Sequence, residues 1–252
     1  MARVRLAKFL ADAGLAARRK AENLIRQGRV TVNHRPVTKI PTFVDPENDI
    51  ICVDGKRIKP SKKVYLLLNK PKGYVCTAAG GNRSIMEFVG MFAQRLYPVG
   101  RLDKDSEGLV MLTNDGELAY RLTHPRFGVE KEYMVYVKPR ADVATLKEAE
   151  KKGAWSSDGR LRVKSIRLLR HQKDGSWLSI VSVAGKKRIV RRLLAKFGYK
   201  TKKLVRVRIG TIMDETLPPG RWRHLRSSEL RALLEVVGLK AQNNAASNRH
   251  NP

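Results

Sequence analysis

The sequence predicts an α+β protein in two parts. A small N-terminal module carries two short helices and a strand turn, and a larger domain is built on a mixed, largely antiparallel sheet with flanking helices. Three observations carry this. Two segments with helical apolar spacing open the chain, and an alternating strand pattern follows them. Beyond residue 60, β-type runs are interleaved with helical ones. Between the two lies GKRIKPSKK, residues 55–63, a basic stretch with Pro60 that reads as a linker. The boundaries expected are 1–60 for the module with its linker, 61–240 for the larger domain, and 241–252 for a tail.

Each element has its own signal. Leu6, Phe9, Leu10 and Ala13 recur at helical spacing, and Gly14 can end that helix. A second helix turns Ala21, Leu24 and Ile25 inward and stops at Gly28. RVTVNHRPV then alternates Val30 and Val32 with polar residues, as a short strand and turn do. In the larger domain the strands expected are 64–68, 109–113, 132–138, 163–169, 177–183 and 203–209. The helices expected are 116–124, 143–152, 187–198 and 228–238. The N-D-G turn at 114–116 places Asp115 to cap the first of these helices. The tail AQNNAASNRHNP has no apolar face and reads as disordered.

The charge narrows the function. With 52 Lys and Arg against 23 Asp and Glu, the formal net charge is +29. A small neutral substrate asks for nothing of the kind, and self-repulsion opposes folding, so the partner expected is a polyanion, nucleic acid first. No run approaches the roughly 18 apolar residues of a spanning helix, and Lys8 and Asp12 interrupt the N-terminal apolar pattern, so neither a membrane span nor a secretory signal is read. Cys52 and Cys76 form no C-x-x-C pair and read as ordinary thiols of a reducing cytosol. The five histidines are scattered without ligand spacing, so no metal site is expected. No helix-turn-helix, finger or basic zipper argues for DNA. No long apolar surface pattern calls for a dimer, and a monomer is expected. On the second helix Arg19, Asn23 and Arg26 share a face with almost no interspersed acid, Glu22 being the one between Asp12 and Asp45. A solvated surface is the alternative to an RNA contact there.

Against this basic background, GRLDKDSEGLVMLTNDGE (100–117) keeps its acids together. A calcium loop counted from Asp103 would place Gly108 well, but Asn114 stands where the closing Glu belongs, and the residues between are apolar. Asp105 and Asp115 read as turn acids bracketing a strand. Asp103 differs. It follows Arg101-Leu102 at the mouth of a strand that runs through the core, where a neighbouring guanidinium would hold it in place. A lone carboxylate repels phosphate in a nucleic-acid cleft, so nucleophilic or general-base chemistry is the compensating reason to keep it.

The N-terminal pattern RLAKFLADAGLAARRKAENLIRQGRVTVN resembles the small α-L RNA-binding domain over roughly residues 3–50, with Ala17 where that family often has a capping Ser. VGRLDKDSEGLVMLTNDGELAYRLTHP is similar to the central motif of the RsuA-type pseudouridine synthases, a family that includes the RluB, RluE and RluF enzymes. Three more segments agree with that family: NKPKGYVCT (69–77), EKEYMV (130–135) and GKKRIVRRL (185–193). The resemblance runs in order from residue 3 to residue 237.

The resemblance implies isomerisation of a uridine in RNA to its C-glycoside, without metal or cofactor. It aligns the family's essential Asp with Asp103, its active-site Tyr with Tyr133, and its motif arginine with Arg191, expected to pair with Asp103. Arg101 is expected to fill the space left in the base stack by the extracted uridine. RNA contacts are expected from Arg5, Lys8, Arg18, Arg19, Lys20, Arg26 and Arg29 in the small domain. In the larger one they are expected from Lys70, Lys72, Lys186, Lys187 and Arg188. The third motif departs from the family at Ala184, Lys187 and Ile189, which bears on the substrate loop. The segment TKKLVRVRIGTIMDETLPPGRWRHL resembles the RluB branch and points to 23S rather than 16S rRNA, free or in an assembling ribosomal subunit in the cytoplasm. A non-catalytic RNA-binding ribosome-assembly factor is the reading from another class.

Overall fold

The computed structural model describes residues 3–79, 81–183 and 185–239. The disordered tail expected at 241–252 and the departure at Ala184 lie outside the described residues.

The N-terminal unit comprises β1 (Val4–Arg5), α1 (Leu6–Asp12), α2 (Arg18–Arg26), β2 (Val30–Val32), β3 (Arg35–Val37), β4 (Phe43–Val44), β5 (Ile51–Val53) and β6 (Lys56–Arg57). Leu6 and Leu10 of α1 and Ala21 and Ile25 of α2, each pair one helical turn apart, are buried together with Val30 and Ile51 of the sheet. The sheet runs in the order β3-β2-β5-β6, all antiparallel, while β1 pairs with β4. Asn33 and His34, with φ of 50° and 66°, form the two-residue turn between β2 and β3. Asp54 and Gly55, with φ of 49° and 76°, do the same between β5 and β6. This corrects the linker: Lys56 and Arg57 belong to the small domain's sheet, because Asp54-Gly55 is a hairpin turn and Arg29 clasps Asp54 through two hydrogen bonds of 2.8 and 2.5 Å. Ile58 still packs on the small domain's core and donates its N–H to the Ile51 carbonyl at 2.8 Å, so the connection between the units begins after it.

The larger domain adds β7 (Tyr65–Lys70), β8 (Tyr97–Val99), β9 (Glu107–Thr113), α3 (Gly116–Thr123), β10 (Lys131–Lys138), α4 (Val143–Lys152) and β11 (Ser165–Gln172). Then come β12 (Gly175–Ser182), α5 (Ile189–Lys196), β13 (Lys200–Ile209), β14 (Ile212–Met213), β15 (Trp222–His224) and α6 (Ser227–Val236). Every strand and helix expected in this domain is present. Not foreseen were β8, β14 and β15, which are too short to show a period, and β8 contains a proline. The sheet runs β11-β12-β10-β13-β9-β7-β15, with β14 on β13 and β8 on β9. It is antiparallel except where β13 meets β9. Asp115 caps α3 as expected, accepting from the backbone N–H groups of Glu117 and Leu118.

β9 explains its continuous apolar run. Leu109 and Met111 pack on the side of α3 and α6, and Val110 and Leu112 pack on the opposite face, so alternate side chains are both buried. The strand enters through Gly108, with φ of +105°, where an added Cβ would lie 2.3 Å from the Arg206 carbonyl oxygen. The close parallel crossing of β9 and β13 therefore demands glycine.

Two measurements follow from these local arrangements. Ala17 is the N-cap of α2 and offers no side-chain acceptor. Ala17→Ser should stabilise α2 by about 1 kcal/mol, seen as roughly fivefold slower amide exchange along Arg18–Arg26. Gly108→Ala should destabilise the larger domain by about 3 kcal/mol or more, from combined strain and overlap, seen as a lowered denaturant midpoint.

Candidate active site

The loop between β8 and β9 carries Arg101, Asp103 and Asp105. It is held from below. Leu102 is buried in the core, and its N–H donates to the Cys76 Sγ at 3.3 Å. Ser106 N–H donates to the Asp103 carbonyl at 3.0 Å, closing a turn around the carboxylates. Gly73 N–H donates to the Lys104 carbonyl at 2.8 Å, which joins this loop to the one after β7. Lys70 is a correction here. It was expected on RNA, but it is 0% exposed, and its Nζ donates to the carbonyls of Pro71 at 2.9 Å and Tyr74 at 2.8 Å. Its ammonium pins the 71–74 loop, and burial lowers its pKa. Lys72, by contrast, is exposed on that loop.

From the other side the start of α5 grips the same segment. Arg188 donates twice to Asp105, at 3.0 and 3.1 Å, and its Nη1 lies 3.5 Å from Asp103 Oδ2. Arg191 donates through Nη2 to the Asp105 carbonyl at 3.1 Å and to Ser106 Oγ at 3.3 Å, and lies 3.4 Å from Asp105 Oδ2. Two expectations are corrected. Asp105 is more than a turn acid, and the guanidinium nearest Asp103 belongs to Arg188, because Arg191 is taken up by the 105–106 backbone and Asp105. The Arg188 hydrogen bonds hold the Asp105 carboxyl below its usual range, with Arg191 and further Arg188 charge adding, against the opposing effect of burial. Arg188 itself has φ of +53° at the N-cap of α5, a strained conformation for a side-chain-bearing residue.

β10 supplies the facing wall. Lys131 and Tyr133 lie two residues apart and point to the same side, and both line the cavity. Tyr133 pairs in register with Arg206 of β13, which in turn pairs with Gly108 of β9. Arg206 is 3% exposed, donates from Nε to the Leu109 carbonyl at 2.6 Å, and has no hydrogen-bond partner for Nη2. Lys131 Nζ donates to the carbonyls of Leu122 and Val129, both at 2.8 Å. Burial, reinforced by the Arg206 charge, pushes its pKa down to about 8.

These walls enclose a cavity of about 230 Å³ lined by Arg101, Asp103, Tyr133 and Arg191, together with Lys131, Lys186, Lys187, Arg188 and Arg206. Among the described lining residues Asp103 is the only acid. The structure thus brings together all four expected catalytic positions and three of the expected RNA contacts, Lys186, Lys187 and Arg188. Lys131 and Arg206 were not expected. The parity of Lys131 with Tyr133 was a usable signal. Arg206 sits in V-R-V-R, a pattern that reads as a solvated strand face. In the small domain Arg5, Arg18, Arg19, Lys20 and Arg26 are exposed, and among the described residues Arg18, Arg19, Lys20 and Arg26 meet no carboxylate. Lys8 and Arg29 are instead engaged by Asp12 and Asp54.

Tyr133 and Leu204 line the cavity together with one carboxylate and several cations. Comparisons with known proteins identify the family. Residues 64–196 match the family model described as RNA pseudouridylate synthase, and residues 4–51 match the S4 domain. An Aquifex aeolicus protein named as an uncharacterized RNA pseudouridine synthase is 44% identical over 243 residues, covering 95% of this chain and 97% of its own. The Bacillus subtilis ribosomal large subunit pseudouridine synthase B is 36% identical over 233 residues, covering 91% and 95%. A crystal structure of a pseudouridylate synthase superposes with a TM-score of 0.62 at 30% identity, covering 91% of this chain and 99% of that one. Fold and sequence agree over nearly the whole length, and the chain belongs to the RNA pseudouridine synthase family, in the RsuA type that carries an S4 domain ahead of the catalytic domain.

Proposed function

We propose that this synthase isomerises one uridine of 23S ribosomal RNA in the cytoplasm, with Asp103 as the essential carboxylate. The observation that carries the catalytic assignment is the isolation of Asp103 as the one acid among the described residues lining a cation-rimmed cavity. The likeness to the Bacillus subtilis large-subunit enzyme supports the choice of rRNA.

The target uridine leaves its stack at a cost of a few kcal/mol, and part of that is returned where the base meets the Tyr133 ring. Arg101, exposed at the mouth, fills the gap in the RNA. Asp103 acts at C1′ while the N1–C1′ bond breaks. The uracil turns within the cavity, C5 bonds to C1′, and the C5 hydrogen departs, with Tyr133 beside the ring to assist its removal. Arg188 and Arg191 act through position: they fix the 103–106 turn so that Asp103 does not have to be ordered during the reaction. Lys131 and Arg206 place positive charge beneath the base, where electron density collects as the glycosidic bond breaks. The exposed arginines and Lys20 of the S4 domain, with Lys72, Lys186 and Lys187, meet the RNA backbone.

Tritium release from unmodified rRNA labelled at uracil C5 tests the reading. The wild type should release label from 23S and not 16S transcripts. Asp103→Asn should lower release at least about a hundredfold while RNA affinity is unchanged. Equal release by the variant would mean that Asp103 is not the catalytic group, and an inert wild type that still binds RNA would favour the assembly-factor reading.

The lysine beneath the base yields a pH prediction. Lys131 loses its proton as pH rises through about 8, so kcat/KM should fall along an alkaline limb near that value. Unfolding does not mimic this. The folded pKa lies below the ordinary 10.5, so between about 8 and 10 the unfolded chain binds more protons, and this group's contribution to stability rises with pH. Lys131→Met should show a lower, flat profile across the same range, whereas an unchanged limb in that variant would assign it to another group.

A further inference from the structure

The loop joining α4 to β11 presents Trp155 at 73% exposure, the highest value among the large apolar side chains exposed on the described surface. A side chain of this size left in water forgoes the stabilisation that burial would bring. It does not hold the loop either. That is done by the Ala154–Leu161 bridge, whose hydrogen bonds measure 3.0 and 2.7 Å, with Leu161 fully buried beneath it. Ser156 Oγ closes the tip on Asp158 at 2.8 Å and on the Gly159 carbonyl at 2.6 Å. Gly153, with φ of +62°, admits no Cβ, since one would lie 2.3 Å from the Leu161 carbonyl oxygen. The indole therefore stands on a rigid support that makes no use of it.

The surroundings indicate what covers it. The Arg160 guanidinium lies 6.0 Å from the ring centroid and is held there by two hydrogen bonds to the Lys152 carbonyl. Lys151 and Arg162 are exposed on the flanking segments, where Lys152 pairs with Glu148 at 2.8 Å. The acid of the tip, Asp158, is neutralised by the two guanidinium nitrogens of Arg192. An aromatic face in a cationic setting with its local acid cancelled suits an anionic chain that bears flat rings. The loop is also joined to the catalytic cavity. Lys186, which lines the cavity, donates from Nζ to the carbonyls of Asp158 at 2.8 Å and Arg160 at 3.1 Å.

We propose that Trp155 is a stacking platform for an unpaired base of the RNA substrate close to the target uridine. Paired bases present edges rather than faces, so the platform selects single-stranded or looped RNA. This rests on RNA being the substrate, which the family establishes, and not on the choice of 23S rRNA.

The test titrates the full chain with oligouridylate, and with the same strand paired to oligoadenylate, at fixed salt. Tryptophan emission is read alongside affinity. Of the three tryptophans, Trp177 and Trp222 are half-buried, so quenching by the single strand should come mainly from Trp155 and be largely lost in Trp155→Phe. Trp155→Ala should weaken single-strand binding by about 5- to 150-fold, and Trp155→Phe should retain most of it. The duplex should bind without quenching. On a reactive transcript Trp155→Ala should raise KM with kcat unchanged. Saturation with the single strand that leaves emission unaltered, or an Ala variant that binds as the wild type does, would overturn the platform and leave Trp155 as a contact for protein. Quenching by oligouridylate in a wild type that makes no pseudouridine would sink the isomerase reading and leave the platform standing.

Discussion

Arg188 and Arg191 grip Asp105 and the backbone beside it, and the placement of the neighbouring Asp103 depends on that grip. The partners are far apart in the chain: 83 residues separate Asp105 from Arg188, and they meet because β9 and β13 cross in parallel and α5 precedes β13. Asp105 and Arg188 are partly exposed, so their pairing contributes modestly to stability. Its effect is geometric. A bidentate fork fixes orientation as well as distance, and the turn closed by Ser106 N–H transmits that orientation to the adjacent carboxylate.

The cations divide into distinct physical roles. Lys70 is sealed inside and serves as a peg for the 71–74 loop. Lys131 and Arg206 line the cavity largely desolvated, tethered by backbone carbonyls and without carboxylate partners among the described residues, so their charge is left uncompensated there. Arg188 and Arg191 are structural clamps at the rim. Arg18, Arg19, Lys20 and Arg26 of the S4 domain are exposed and meet no carboxylate among the described residues, and the field of such charges is long-range and screened by salt. A net charge of +29 therefore describes the attraction for RNA and says little about where the chemistry lies.

Much of the fold was legible because its signals are local. Helical spacing and strand alternation located α1 to α6 and the main strands, and Gly14 and Gly28 do adopt the positive φ that ends a helix. Asp54-Gly55 was legible too, as a hairpin turn, but the basic residues after it invited a linker reading. Asp103 and Tyr133, singled out beforehand, do line one cavity, but the partnerships around them were illegible. The pairing of Arg191 with Asp103 was expected from the motif resemblance and Lys70 was expected on RNA, whereas burial and pairing decide what each cation can reach.

By itself the sequence determined the two-part α+β architecture, the affinity for a polyanion, and the short list that includes the catalytic candidates. Only the tertiary structure decided which acid meets which arginine, which lysine is buried, and that Trp155 stands unburied beside the cavity loop. The reason is range. Backbone periodicity is set over a few residues, but the environment of a side chain is set by strands and loops brought together from distant parts of the chain, and charge, pKa and exposure follow that environment.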